Sequence, residues 1–204
     1  MCISSYRLGD LICQELSEPE KDQILIEHPN SMGTKYILEQ NKNDGRSKLE
    51  IILPIVLETI EKNKHLFPRD ITDSTLIHLR IGDVIAGNEW HEKSKRPLNV
   101  KDLKSLVKND THKKYVIGKS FFASTSSTNY EECIHKSNEY LKNALTEINA
   151  EHFDSGDPDL DFCAAVMSKL FIQGKGFYSK LIVVIRYALN LPCIETSSHD
   201  YYLM

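Results

Sequence analysis

From residue 75 onward the chain alternates short apolar runs with longer stretches of helical spacing, and this rhythm limits its fold more than any other feature. Leu76 to Leu79, Tyr115-Val116-Ile117 and Phe171-Ile172 read as buried strands, and His152-Phe153 as a further brief one. Between them, residues 130–149 carry Cys133, Ile134, Tyr140, Leu141, Leu145 and Ile148 in a helical pattern. Asn99 or Asp102 is placed to cap a short helix holding Leu103, Leu106 and Val107. Asp157-Pro158 opens another helix, because proline suits a first turn, and Phe177 to Leu189 forms the last, stopped by Pro192. Strands alternating with helices predict an α/β protein with a mainly parallel sheet and helices on its faces.

The first part of the chain lacks this rhythm. Residues 1–45 are irregular, with pieces such as Ile24-Leu25-Ile26 cut by Pro19, Pro29, Gly33 and Gly45. Residues 47–65 read as an amphipathic helix on Leu49, Ile52, Leu53, Val56, Leu57 and Ile60. Pro54 interrupts that pattern and predicts a kink or a late start.

Composition narrows the class of partner. A net charge of −4 over 204 residues argues against generic binding to nucleic acid or to an anionic membrane. Positive charge for a ligand must then come from individual Arg and Lys side chains. The five cysteines, Cys2, Cys13, Cys133, Cys163 and Cys193, are scattered without zinc spacing, as expected of free thiols in a reducing compartment. Arg7 and Asp10 interrupt the opening apolar residues, so no signal peptide is expected there. The longest apolar stretch, Leu181 to Ile185, is far too short to span a membrane. A cytoplasmic protein without a transmembrane segment is the expectation.

Chemistry concentrates at Thr75-Leu76-Ile77-His78-Leu79-Arg80-Ile81-Gly82-Asp83-Val84. Alternation along a strand puts His78 and Arg80 on one side near its carboxyl end, the rim where α/β sheets take phosphorylated ligands. Arg80 can meet a phosphate through two N–H groups, and Gly82 lets the backbone turn close by. The plain alternative is an Arg80–Asp83 ion pair at a strand end with His78 in the core. Two later segments fit the same chemistry. Gly118-Lys119-Ser120 follows the second strand and can offer backbone N–H groups to an anion, although it is no Walker loop. Gly174-Lys175-Gly176-Phe177-Tyr178-Ser179 turns into the last helix, whose free N–H groups attract an anion. Asp157, Asp159 and Asp161 serve equally as helix caps or as acceptors for a base. In the loop after the first strand, Glu89, His91 and Glu92 are candidates to reach an acceptor, and Trp90 to stack on a sugar. No Asp-x-Asp element stands where a metal-dependent transferase would want one, since Asp157-Pro158-Asp159 matches those letters only with Pro between, and no G-x-S-x-G elbow suits a serine hydrolase.

The pattern His78-x-Arg80-x-Gly82-Asp83 resembles the first conserved motif of the fucosyltransferase superfamily, which includes α1,2-, α1,6- and protein O-fucosyltransferases. The strand and loop at residues 115–124, and the acidic helix start, short strand and small-residue turn at residues 157–182, resemble that family's later elements in the same order. A weaker likeness, Arg7-Leu8-Gly9-Asp10, falls where relatives have a Gly-rich turn. The chain departs from the family at Ile81, where many relatives have a second Arg. The resemblance implies a Rossmann-like sheet over residues 70–204, equivalent to the donor-binding half of a GT-B glycosyltransferase, with residues 1–69 as a reduced acceptor region. It implies metal-independent, inverting transfer of fucose or a similar deoxyhexose from a GDP-sugar to a glycan or protein hydroxyl, with no cofactor beyond that donor. Arg80 would hold the β-phosphate, and Asp83 or Glu89 would serve as base. His78, Gly82, Gly118, Lys119, Ser120, Asp161, Gly176, Phe177 and Ser179 would surround the donor. The opposing expectation is a module that binds a nucleotide or glycan without turnover.

Overall fold

The computed structural model describes residues 45, 48–82, 84–85, 97–121 and 130–196. Among these, residues 48–68 and 155–164 make up one unit, and residues 69–154 and 165–196 the other. In chain order the elements are α1 (Lys48–Asn63), β1 (Thr75–His78), β2 (Ile81–Gly82), α2 (Val100–Leu106), β3 (Lys114–Ile117), β4 (Ser120–Phe121), α3 (Tyr130–Ile148), β5 (Glu151–His152), α4 (Pro158–Met167), β6 (Leu170–Ile172), α5 (Phe177–Ala188) and β7 (Cys193–Ile194).

In the first unit, α1 is helical on both sides of Pro54, so the late start expected there is not seen. Thr59 and Asn63 return side-chain hydrogen bonds to Ile55 O and Thr59 O at 2.8 and 3.0 Å. The start of α4 follows its sequence signal. Asp157 Oδ1 accepts from Asp159 N at 2.8 Å, and Pro158, which has no N–H to satisfy, takes the first helical position.

The second unit is a Rossmann-like α/β layer. Its sheet runs β5-β3-β1-β6-β7 with every neighbouring pair parallel. Counted in chain order, these five strands have the 3-2-1-4-5 arrangement of doubly wound nucleotide-binding sheets. On one face Ile77, Leu79, Val116 and Ile172 join Leu103, Val107, Ala144 and Ile148 from α2 and α3 and their ends in a single apolar cluster. On the other face His78 meets Tyr178 of α5, their ring centroids 5.2 Å apart. A fully buried Leu, Ile or Phe side chain contributes about 1.5–3 kcal/mol, whereas exposed pairs such as Lys62–Glu58 and Lys104–Glu147 are screened by solvent and contribute little. The apolar layers therefore hold the fold. Local signals refine it: Asn99 Oδ1 caps α2 by accepting from Lys101 N at 2.8 Å.

Two features depart from the sequence reading. A polar loop was the expectation directly after Ile117, but β4 pairs in parallel with β2, Ile81 opposite Ser120 and Gly82 opposite Phe121. β7 has only two residues, too few to show a period, and gains its place by pairing with Phe171 and Ile172. The amino-terminal edge of the sheet is closed by Arg186, which is wholly buried. Its Nη1 donates to Ala165 O, Val166 O, Ser168 O and Ser168 Oγ at 2.7, 2.9, 2.7 and 3.1 Å. Its Nη2 donates to Lys169 O and Pro192 O at 3.2 and 2.9 Å. No helix among the described residues is long and apolar enough to cross a membrane.

Candidate functional site

Strand order creates the site. From β1 the chain leaves toward β3, and from β6 it leaves toward β7, on the opposite side. Connections that diverge in this way leave a crevice at the carboxyl ends of the two strands, the place where such sheets bind ligands. β1 delivers His78 and Arg80 there, and β6 delivers Gln173 and the turn Gly174–Gly176 that starts α5.

Glycines set how closely these segments approach. A Cβ on Gly174 would lie 2.2 Å from His78 O and 2.4 Å from His78 Nδ1, and one on Gly118 would lie 2.6 Å from Leu79 O. Neither position has room for a side chain, so the ends of β3 and β6 close directly onto β1. Gly176 differs. It is the N-cap of α5 with φ +92, a conformation open to glycine, and a Cβ there would come 3.2 Å from Arg80 Nη1. The Arg80 guanidinium therefore lies against the backbone at the helix start. No side chain of Gly176 can cap α5, and the first-turn N–H groups have no acceptor within the helix.

Several other residues are tied into the scaffold. Gly82 takes φ +95, and its N–H donates to the buried Ser137 Oγ of α3 at 3.0 Å. That N–H is spent on the scaffold. Ser179 is fully buried and its Oγ accepts from Gly174 N at 2.8 Å, folding the turn back on α5. Lys119 reaches Asp154 Oδ1 at 3.5 Å, and the carbonyl of Gly118 meets His152 Nε2 at 3.1 Å. The register of β1 with β3 continues unchanged in β2 with β4, so Arg80 and Lys119 lie opposite each other in the break between the two pairings. Ser120 is half-buried in β4.

His78 is 7% exposed, and burial, reinforced by the nearby Arg80 charge, pushes its pKa down to about 3. Its imidazole is thus neutral at physiological pH and acts through hydrogen bonding or packing, not charge. Its Nδ1 makes no hydrogen bond within the protein, nor does Oε1 of Gln173, which lies one residue beyond the registered pair Ile77–Ile172. The two residues share a sheet face on adjacent strands. Gln173 was absent from the sequence reading, because only strand pairing sets it beside His78.

The structure thus brings together His78, Arg80, Gly176, the backbone of Phe177, and Ser179, with Gly118 and Lys119 across β1. Asp161 belongs to the other unit, where its Oδ1 accepts from Ser155 N and Oγ at 2.9 and 2.7 Å. Asp83 and Glu89, the two candidate bases, lie outside the described residues, as do Trp90, His91, Glu92 and Arg7-Leu8-Gly9-Asp10. Among the described residues no group of three His, Cys, Asp or Glu side chains is placed to hold a metal ion. No protein-family model matches the chain, and no curated protein matches it.

Proposed function

We propose that the chain is a nucleotide-sugar-dependent glycosyltransferase, and that the crevice between β1 and β6 holds the diphosphate of a GDP-sugar. The observation that carries this reading is the Arg80 guanidinium resting against Gly176 at the start of α5, at the switch point of a 3-2-1-4-5 sheet. A fixed cation and the first-turn N–H groups of one helix then converge on one anion. Such a pair suits glycosyl transfer because the nucleoside diphosphate leaves with the bonding electrons, and Arg80 stabilises the charge that builds on its β-phosphate. The likeness of the His78-x-Arg80-x-Gly82-Asp83 pattern to the fucosyltransferase motif favours fucose or a related deoxyhexose as the sugar. It also favours metal-independent inversion, with a glycan or protein hydroxyl as acceptor and Asp83 or Glu89 as its base. Neutral His78 and Gln173 offer hydrogen bonds to uncharged parts of the donor.

Calorimetry with GDP, GDP-fucose and UDP-sugars tests the assignment. GDP-bearing ligands bind the wild type, and Arg80→Ala weakens GDP by about 10- to 100-fold, as expected for a charge-assisted bidentate contact. Unchanged GDP affinity in Arg80→Ala overturns the site. Release of GDP from GDP-fucose in the presence of acceptor glycans supports turnover, whereas donor binding without release assigns the chain to the non-catalytic alternative.

A further inference from the structure

Lys175 lies between the two glycines of the turn that starts α5, next to the residue that faces Arg80. Its Nζ donates to the carbonyl of Thr196 at 2.8 Å, beyond β7. Thr196 Oγ1 in turn donates to Gln173 O at 2.8 Å, and Gln173 N donates to Ile194 O at 2.9 Å. Thr196, just after β7, is thus tied to Gln173 and to Lys175 of the turn that would carry the diphosphate, and the second of these bonds is made by a cation to a neutral oxygen.

That partner is a poor one for an ammonium. Partial burial already presses the Lys175 pKa down, so its charged form is under-solvated where it stands. A carbonyl supplies only a dipole to the ammonium, whereas a phosphate oxygen adds a full opposite charge to the hydrogen bond. Lysine, with three donors on a flexible stem, can change partners without moving the backbone. We propose that Lys175 is a second cation for the donor's diphosphate, and that it exchanges the Thr196 carbonyl for a phosphate oxygen when the donor binds. Donor binding then loosens Thr196 from the turn, so the end of β7 responds to occupancy of the crevice. This inference rests on the diphosphate reading of the crevice proposed above.

The test compares the full chain with its Lys175→Met and Lys175→Arg variants, using GDP and inorganic pyrophosphate as probes. Calorimetry gives the dissociation constants, and hydrogen exchange follows the segment from Asn190 to Thr196. In the wild type, saturating GDP speeds exchange in that segment. Lys175→Met exchanges fast there without ligand, shows no further change with GDP, and binds GDP about tenfold more weakly. Lys175→Arg stays within about threefold of the wild type, because it keeps the charge. A purely structural clamp gives a different result: Lys175→Met loosens the segment but binds GDP as tightly as the wild type, which overturns the proposal. So does GDP binding that leaves or slows exchange in the wild type, a measurement that needs no variant to fold. If Arg80→Ala weakens GDP and Lys175→Met does not, only the role of Lys175 falls. If neither GDP nor pyrophosphate binds the wild type, the diphosphate reading falls and Lys175 with it.

Discussion

Two arginines stand at the two ends of α5, and their surroundings differ in a way that separates scaffold from site. Arg186, in the last turn, is wholly buried and gives its guanidinium to five carbonyls and one hydroxyl at the amino-terminal edge of the sheet. Two of the carbonyls, of Ala165 and Val166, lie in the last turn of α4, where helix carbonyls lack partners of their own and favour a cation. Arg80, at the carboxyl-terminal edge, is only partly buried and lies against the glycine at the helix start. A guanidinium surrounded by backbone oxygens serves the fold. One held at a helix amino terminus, in the crevice of a doubly wound sheet, is positioned to meet an anion. Sign of charge alone does not distinguish them; what each faces does.

Substituting the two residues in parallel gives the sharpest test of that contrast. Arg186→Met removes the donor of six hydrogen bonds, four of them fully buried, and is expected to cost about 3–5 kcal/mol, read as a fall in the midpoint of urea unfolding. Arg186→Lys recovers little of this, because three donors on a point charge cannot span six acceptors. Arg80→Ala lowers the midpoint less than Arg186→Met does, and it weakens GDP. If Arg80→Ala destabilises the fold as much as Arg186→Met does, both arginines are scaffold and the contrast collapses.

The glycines extend the comparison on a smaller scale. Gly174→Ala puts a methyl group 2.2 Å from the His78 carbonyl, where the contact is backbone and cannot yield cheaply. A loss of about 2–3 kcal/mol is expected by thermal unfolding. Gly176→Ala faces the movable end of Arg80 instead, so its cost is the backbone conformation, φ +92 with ψ 172, about 1–3 kcal/mol. Its larger effect falls on GDP binding, because the methyl group displaces the guanidinium. Equal losses of stability with unchanged GDP affinity in both variants would falsify the division of labour between the two glycines.

Much of the fold was legible because its long elements carry strong periods. The helix at residues 130–149, the Asn99 cap and the Pro158 start all appear where the residues place them. The central strands were legible too, since Leu76–Leu79 and Tyr115–Ile117 are apolar runs framed by polar residues. Pairing was not. β2, β4 and β7 have two residues each and exist only through their partners, and the adjacency of His78 with Gln173 follows from register rather than from spacing. Arg186 was missed for a related reason. In sequence it is one polar residue after an apolar run, as expected of an exposed helix face, and the carbonyls it satisfies come from two separate segments, residues 165–169 and Pro192. Arg80 stood out because the residues that identify it are its immediate neighbours.

The smallest effect concerns His78, which is buried at the end of β1 and packs against Tyr178. Its pKa in the folded protein is about 3, against the ordinary 6.5 of a solvated imidazole. The unfolded chain therefore binds a proton below pH 6.5 that the folded chain refuses until the pH nears 3. Between those limits the unfolded state holds more protons, so stability rises with pH: it is complete above 6.5 and drains away as the pH falls. The first pH unit below 6.5 removes about 1 kcal/mol, measurable as a lower urea midpoint at pH 5.5 than at pH 7.5. His78→Gln keeps a neutral polar side chain and should flatten this part of the profile. Saturating GDP should leave the slope in place in the wild type, because neutral His78 is the form both the core and the crevice require. An unchanged slope in the variant would assign the acid sensitivity elsewhere and return His78 to the ordinary histidine range.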